Sequence, residues 1–193
     1  MISRIQKALP KHTITSSVSS TLFIVDYKNI NGGGVKLHDT KPHDKAVYLE
    51  NSIPIEIFFD GFEENCLPTD DPGVCNSQCE CVMFPKSEDD NHWILFIEMK
   101  YANDRTAAFR KDRNYPENMI TQILETVNYF RRNEIISKDK RVNAIVSFPK
   151  LIEEFSSTFF TGKMSVDDIL YDHNILIRAT NTGFIKSKKR LYL

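Results

Sequence analysis

Ile94-Leu95-Phe96-Ile97 is an unbroken apolar run that ends on two charges, Glu98 and Lys100, one residue apart. Its β-branched and aromatic content reads as a buried strand. Strand residues i and i+2 share a face, so Glu98 and Lys100 point the same way from its end. Charge buried there costs several kcal/mol unless it is paired or binds an ion. Beyond Lys100 the period changes. Pro116 suits the first turn of a helix, and Met119, Ile120, Ile123, Leu124, Val127 and Phe130 then recur at helical spacing. Gln122, Thr126, Tyr129 and Asn133 form the neighbouring stripe, and Arg131 and Arg132 suit the last turn. Arg141 to Phe148 reads as another strand. A helix between two strands predicts a crossover and a partly parallel sheet.

The remaining segments extend this mixed α/β pattern. Upstream, Cys79 to Phe84 reads as a strand with Glu80 at its start, joined to the Glu98 strand by a polar connection holding Asp89 and Asp90. Strands are also expected over 21–27, 45–50 and 53–59, with Pro54 confining the third to an edge or a strand start. A short helix can precede Pro10. Asn31-Gly32-Gly33-Gly34 is a turn and no phosphate loop, since no Gly-Lys-Ser/Thr follows it. Residues 60–78 are acidic and irregular, with Pro68 and Asp70-Asp71-Pro72-Gly73. Helical pieces are expected over 150–171, with a capping box at Ser165 to Asp168, then a strand over 175–180 and a basic tail, Lys186 to Arg190.

The length of 193 residues suits one domain, 1–193, and neither a repeat nor a linker divides it. A net charge of −1 gives no global field for nucleic acid, so any such contact must come from a local patch. No apolar run approaches the ~20 residues of a membrane span, and no signal-peptide apolar region follows the N-terminus, so a cytoplasmic location without membrane contact is expected.

An acid on one strand followed by Glu-x-Lys at the end of the next is a way to hold a divalent metal beside a phosphate. Residues 79–148 resemble the PD-(D/E)xK, or restriction-endonuclease-like, nuclease superfamily. Cys79-Glu80-Cys81-Val82-Met83-Phe84 resembles its acid-bearing strand, and Ile94 to Lys100 its E-x-K strand. The resemblance implies a mixed sheet with flanking helices, here with an N-terminal antiparallel strand extension. It also implies Mg²⁺- or Mn²⁺-dependent hydrolysis of phosphodiesters in DNA or RNA. Glu80 and Glu98 would be the metal ligands, Lys100 would orient the attacking water, and Gln122 would support the site from the helix. The first acid is glutamate where the family has aspartate, and the N-terminal helix that supplies a further Glu in many members is not evident. Asp89 or Asp90 is the alternative first acid. A catalytically inactive module on the same fold, binding nucleic acid or protein, is the alternative reading of the chain.

Arg105, Arg110, Lys111 and Arg113 follow the proposed site directly and are candidate phosphate contacts, or else a solvated charged loop. Many double-strand cutters dimerise, but nothing in the sequence displays an interface. Cys66, Cys75, Cys79 and Cys81 could gather around a structural zinc, although their spacing is not that of paired C-x2-C knuckles. Cys79 and Cys81 would share a strand face, with Glu80 on the other. A cysteine nucleophile would need a nearby base. His92 is the closest histidine in sequence, beside a turn, while His38 and His43 flank a polar loop.

Overall fold

A computed structural model describes residues 1–193 except Asp70, Pro72, Lys163 and the side chain of Asn29. The expected turn at Asp70 to Gly73 therefore lies partly outside the described residues. The chain runs α1 (Ile2–Ala8), β1 (Thr15–Ser17), β2 (Thr21–Asp26), α2 (Lys28–Asn31), β3 (Val35–His38), β4 (Val47–Asn51), β5 (Ile57–Gly61), β6 (Cys81–Pro85) and β7 (Leu95–Met99). It continues with α3 (Arg105–Ala108), α4 (Tyr115–Arg132), β8 (Val142–Ser147), α5 (Ser156–Phe159), α6 (Val166–His173), β9 (Ile175–Ala179), β10 (Thr182–Ser187) and β11 (Arg190–Tyr192).

The predicted crossover is present. β7 and β8 pair in parallel, with Glu98 across from Val146 and Met99 from Ser147, and α4 connects them. They belong to a six-stranded sheet of order β1-β5-β6-β7-β8-β9. Its β1, β5, β6 and β7 neighbours are antiparallel, and β8 and β9 are parallel. One face takes Met119, Ile123, Val127 and Phe130 of α4 against Val82, Phe96, Ala144 and Val146. Every residue of β7 is buried, so neither of its faces is left to solvent.

The other face is covered by a second sheet. Of the N-terminal strands, β1 and β5 extend the first sheet antiparallel, while β2, β3 and β4 belong to a five-stranded one, order β11-β10-β4-β2-β3, which buries Leu22, Ile24, Val47 and Leu49 against Met83, Leu95, Ile97 and Ile145. The segment expected as a basic tail completes this sheet. β10 pairs in parallel with β4 and antiparallel with β11. Its signal was masked because the alternation runs through small or charged positions: Gly183 and Ile185 are buried, while Phe184 and Lys186 are exposed. Gly183 fits against Leu49, where a Cβ would come within 2.9 Å of that side chain.

Elsewhere the boundaries shift. The third strand starts at Ile57, beyond Pro54, as the missing N–H of proline demands. The Ser165 capping box forms, with both reciprocal bonds present. Among the described residues no helix is long and apolar enough to cross a membrane.

Candidate functional site

Glu80 and Glu98 meet at one end of the β6–β7 pair. Cys81 registers with Ile97, and the Glu80 N–H donates to the Ile97 carbonyl at 2.9 Å, so Glu80 stands across from Glu98. Like charges directly opposed across a ladder repel, and both residues are buried. Two lysines resolve this. Lys100 Nζ lies 2.6 Å from Glu98 Oε1 and 3.7 Å from Glu80 Oε1, while Lys28 Nζ donates to Glu80 Oε2 at 2.7 Å. The four side chains form a line of alternating sign, Lys28, Glu80, Lys100, Glu98. The Lys100 backbone is fixed because its N–H extends the β7–β8 ladder to the Ser147 carbonyl at 3.0 Å.

The end of β2 and the start of α2 complete this arrangement. β2 ends on Asp26, which is fully buried and accepts the Lys28 N–H at 2.9 Å. Its charge acts on Lys28, Glu80, Lys100 and Tyr101. Tyr101 closes the group, its hydroxyl accepting from the Asp26 N–H and donating to the Lys45 carbonyl. Sequence reasoning missed Asp26 and Lys28. Their signal was present: Leu22-Phe23-Ile24-Val25-Asp26 is an apolar run ending on an acid, the same pattern that drew attention to Glu98.

Burial pushes the Glu98 carboxyl up to about 8. The ion pair with Lys100 opposes this, and the charge of Glu80 adds to it. Glu80 is also raised, by burial first, against the pull of Lys28. Burial lowers Lys100, but Glu98 and Glu80 outweigh it and the ammonium is held above its ordinary value. Lys100 is therefore a charged donor in this geometry rather than a base. Neither Glu98 oxygen makes a hydrogen bond of normal angle, despite the short ion pair. A buried carboxylate satisfied only by one off-axis ammonium has acceptor capacity left over.

That residual capacity is what a hard cation uses. Among the described residues no three of His, Cys, Asp and Glu gather in a metal-holding group. Mg²⁺ does not need one, since it binds through one or two carboxylates and keeps several waters. The oxygen donors of Glu80 and Glu98 therefore fit such an ion.

Gln122 faces this end of the sheet from α4, but its amide nitrogen donates to the Gln78 carbonyl at 2.7 Å. One turn on, Thr126 Oγ1 accepts the Cys79 N–H at 2.9 Å and donates to the Gln122 carbonyl. The helix thus holds residues 78–79, and through them the bend from which Glu80 projects. Thr126→Val, which keeps shape and removes both bonds, is expected to destabilise the fold by about 1–3 kcal/mol, through the buried Cys79 N–H left unpaired. Chemical denaturation measures it.

Other expectations are corrected. Asp89 and Asp90 lie in the β6–β7 connection, at the opposite end of the hairpin from Glu80 and Glu98, so neither can act as the first acid. Asp90 is paired with Arg4. Cys79 and Cys81 do not share a face: Cys79 packs on the helix side and Cys81 between the sheets. Regular alternation starts only at Cys81, because the Cys79 N–H is taken by Thr126 rather than by a strand. The thiols of Cys75 and Cys79 donate to backbone carbonyls of Asn65 and Cys81, and that of Cys66 to Gln78 Oε1. His92 sits against the Asp89 carbonyl and the Phe84 ring.

Of the basic residues after Lys100, all four are exposed. Arg105 is tied to Glu154 and Thr158, Arg110 to Asp112, and Arg113 to Tyr115. A scan against protein-family models and searches of curated proteins and of solved structures returned no match.

Proposed function

We propose that the chain is a metal-dependent phosphodiesterase of the PD-(D/E)xK type acting on nucleic acid. The observation that carries this reading is the pair of opposed, buried carboxylates at a strand end, one of them short of hydrogen bonds, with an ammonium between them. Glu80 and Glu98 would hold Mg²⁺ or Mn²⁺, which when bound lowers the pKa of a water and polarises the phosphate. Lys100, kept protonated by its two carboxylates, orients the attacking water and offers an N–H to the charge that develops on phosphate oxygens. Lys28 and Asp26 hold Glu80 in place from the second sheet. Gln122 and Thr126 fix the backbone from which Glu80 projects. Arg110, Lys111 and Arg113 supply phosphate contacts in exposed chain that follows the site. Arg105, already bonded to the α5 region, is the weakest candidate for that role.

The test is incubation of the protein with labelled single- and double-stranded DNA and RNA, with Mg²⁺, with Mn²⁺ and with chelator. Metal-dependent cleavage is the expected outcome.

One observation favours a second reading. Lys28 and Lys100 already neutralise Glu80 and Glu98, so the network can be purely structural in a non-catalytic binding module. That reading requires that calorimetry detect no Mg²⁺ binding at millimolar concentration and that no substrate be cut.

A further inference from the structure

One face of the second sheet packs on the first, so its other face should be polar, as in sheets solvated on one side. It is aromatic instead. Phe23 stands across from Tyr48, with ring centroids 5.2 Å apart, and Phe184 stands across from Tyr192. These residues alternate with Leu22, Ile24, Val47, Leu49, Ile185 and Leu191, which pack between the sheets. Phe184 and Tyr192 leave 42% and 54% of their surface exposed. Tyr48 registers with Thr182, which places Phe184 one strand over and two residues further on. The rings therefore form two neighbouring platforms. Helices α4, α5 and α6 pack on the first sheet instead.

Cations border both platforms. Lys186 Nζ lies 5.7 Å from the centroid of the Phe184 ring. Lys36 Nζ lies 5.7 Å from that of Tyr27, whose ring meets His38, the residue across from Phe23. Arg190 is exposed on β11 together with Tyr192. Among the described residues, none of Lys36, Lys186 and Arg190 forms an ion pair. One carboxylate, Glu50, stands across from Phe184 and accepts the Ser52 hydroxyl at 2.6 Å. Three cations against one acid make a local positive patch in a chain of net charge −1. The β10–β11 hairpin is also anchored. Trp93 donates its indole N–H to the Ser187 carbonyl at 2.9 Å and its backbone N–H to the Lys188 carbonyl at 3.2 Å.

We propose that this face binds single-stranded nucleic acid, with bases stacked on the rings and phosphates on Lys36, Lys186 and Arg190. Stacking on a side-chain ring needs an open base face, which a duplex does not offer. An apolar protein partner would desolvate the unpaired cations beside the rings, whereas phosphates pair with them. Glu50, set among the rings, meets base edges, where a carboxylate accepts from an exocyclic amine. Every base has a π-face, so binding tolerates sequence and depends on salt. The proposal gives the nucleic acid of the proposed function a strand type. It rests on residues other than Glu80, Glu98 and Lys100, so either reading can fail alone.

Fluorescence anisotropy with labelled oligo(dT), oligo(U) and a DNA duplex of equal length tests this, with chelator present to prevent metal-dependent cleavage. The unaltered chain is expected to bind the single strands at least about tenfold tighter than the duplex. Phe184→Ala combined with Tyr192→Ala should weaken oligonucleotide binding at least about tenfold. Lys186→Ala with Arg190→Ala should reduce the slope of log affinity against log salt by about 1.4. Ultraviolet crosslinking of the unaltered chain to oligo(dT), followed by peptide mapping, should mark Phe184 or Tyr192. Equal affinity for strand and duplex, or crosslinks that leave this hairpin unmarked, overturns the proposal. So does full binding by a double variant that melts like the unaltered chain. Tight binding of single strands without cutting in Mg²⁺ upholds this face and counts against the nuclease. Cutting without any preference for single strands in binding does the reverse.

Discussion

Lys100→Ala is expected to abolish metal-dependent cleavage, with a loss of at least about 10³-fold, the upper range for removing one group that stabilises developing charge. The reason is double. Under the proposed mechanism the substitution removes the donor that would meet the reacting phosphate, and it leaves Glu80 and Glu98 opposed with no ammonium between them. The second effect also has a structural readout. Removing one partner of a buried ion pair costs about 3–5 kcal/mol, and the lower end applies here because Lys100 retains some exposure and Lys28 still balances Glu80. The loss should appear at pH 8, where the carboxylates ionise, and shrink at pH 5, where Glu98 carries a proton. Glu98→Gln separates the two effects. It keeps the shape of the side chain and removes its charge, so cleavage should fall as far while stability is unchanged or raised. Gel assays of cleavage beside thermal melts at both pH values make the comparison. Cleavage that survives both substitutions in folded protein would remove Glu98 and Lys100 from the mechanism.

The β7–α4–β8 crossover and the Glu98–Lys100 pair were legible because each rests on a local period: an apolar run ended by i, i+2 charges, then a helical stripe of six apolar residues. What was illegible depends on contacts between segments far apart in the chain. Asp26 and Lys28 reach Glu80 only because a second sheet covers the first, and one strand pattern does not say which sheet it joins. Glu80 was placed correctly beside Glu98 but for an incomplete reason. Its position depends on a bend held by Thr126 from α4, which breaks the alternation that would have put Cys79 and Cys81 on one face. The buried His12–Asp60 pair was illegible because its members lie 48 residues apart in the chain. His12 reaches Asp60 from before β1, brought there by the β1–β5 pairing of Thr15 with Phe59 beside Asp60. Charged residues at the ends of apolar runs mark where buried charges gather. Their partners are fixed by topology.

Stability is expected to peak near pH 5 and to fall steadily toward pH 9, an unusual slope for a protein of slightly negative net charge. Glu98 has a folded pKa of about 8, above its ordinary 4.5. The folded state therefore holds a proton that the unfolded state has lost, and this contribution is complete below pH 4.5 and gone once pH passes 8. It amounts to at most about 5 kcal/mol, with the opposing pull of Lys100 and Lys28 already included. Burial raises Glu80 and Asp60 in the same direction. His12, held at about 10 by Asp60 and Cys66 against the cost of burial, adds a contribution that is full below 6.5 and lost between there and 10. The opposite sign belongs to exposed carboxylates such as Asp90, which Arg4 holds below its ordinary value, and these act only at the acid end. Thermal melts from pH 4 to 9 should show the decline, and Glu98→Gln should flatten it between pH 5 and 8. Metal ligation needs the carboxylates ionised. Mg²⁺ should therefore raise the melting temperature at pH 8 and leave it unchanged at pH 5. A melting temperature that rises from pH 5 to 8 without metal would mean that Glu98 is ionised throughout. The two lysines would then fully offset both burial and the repulsion between Glu80 and Glu98.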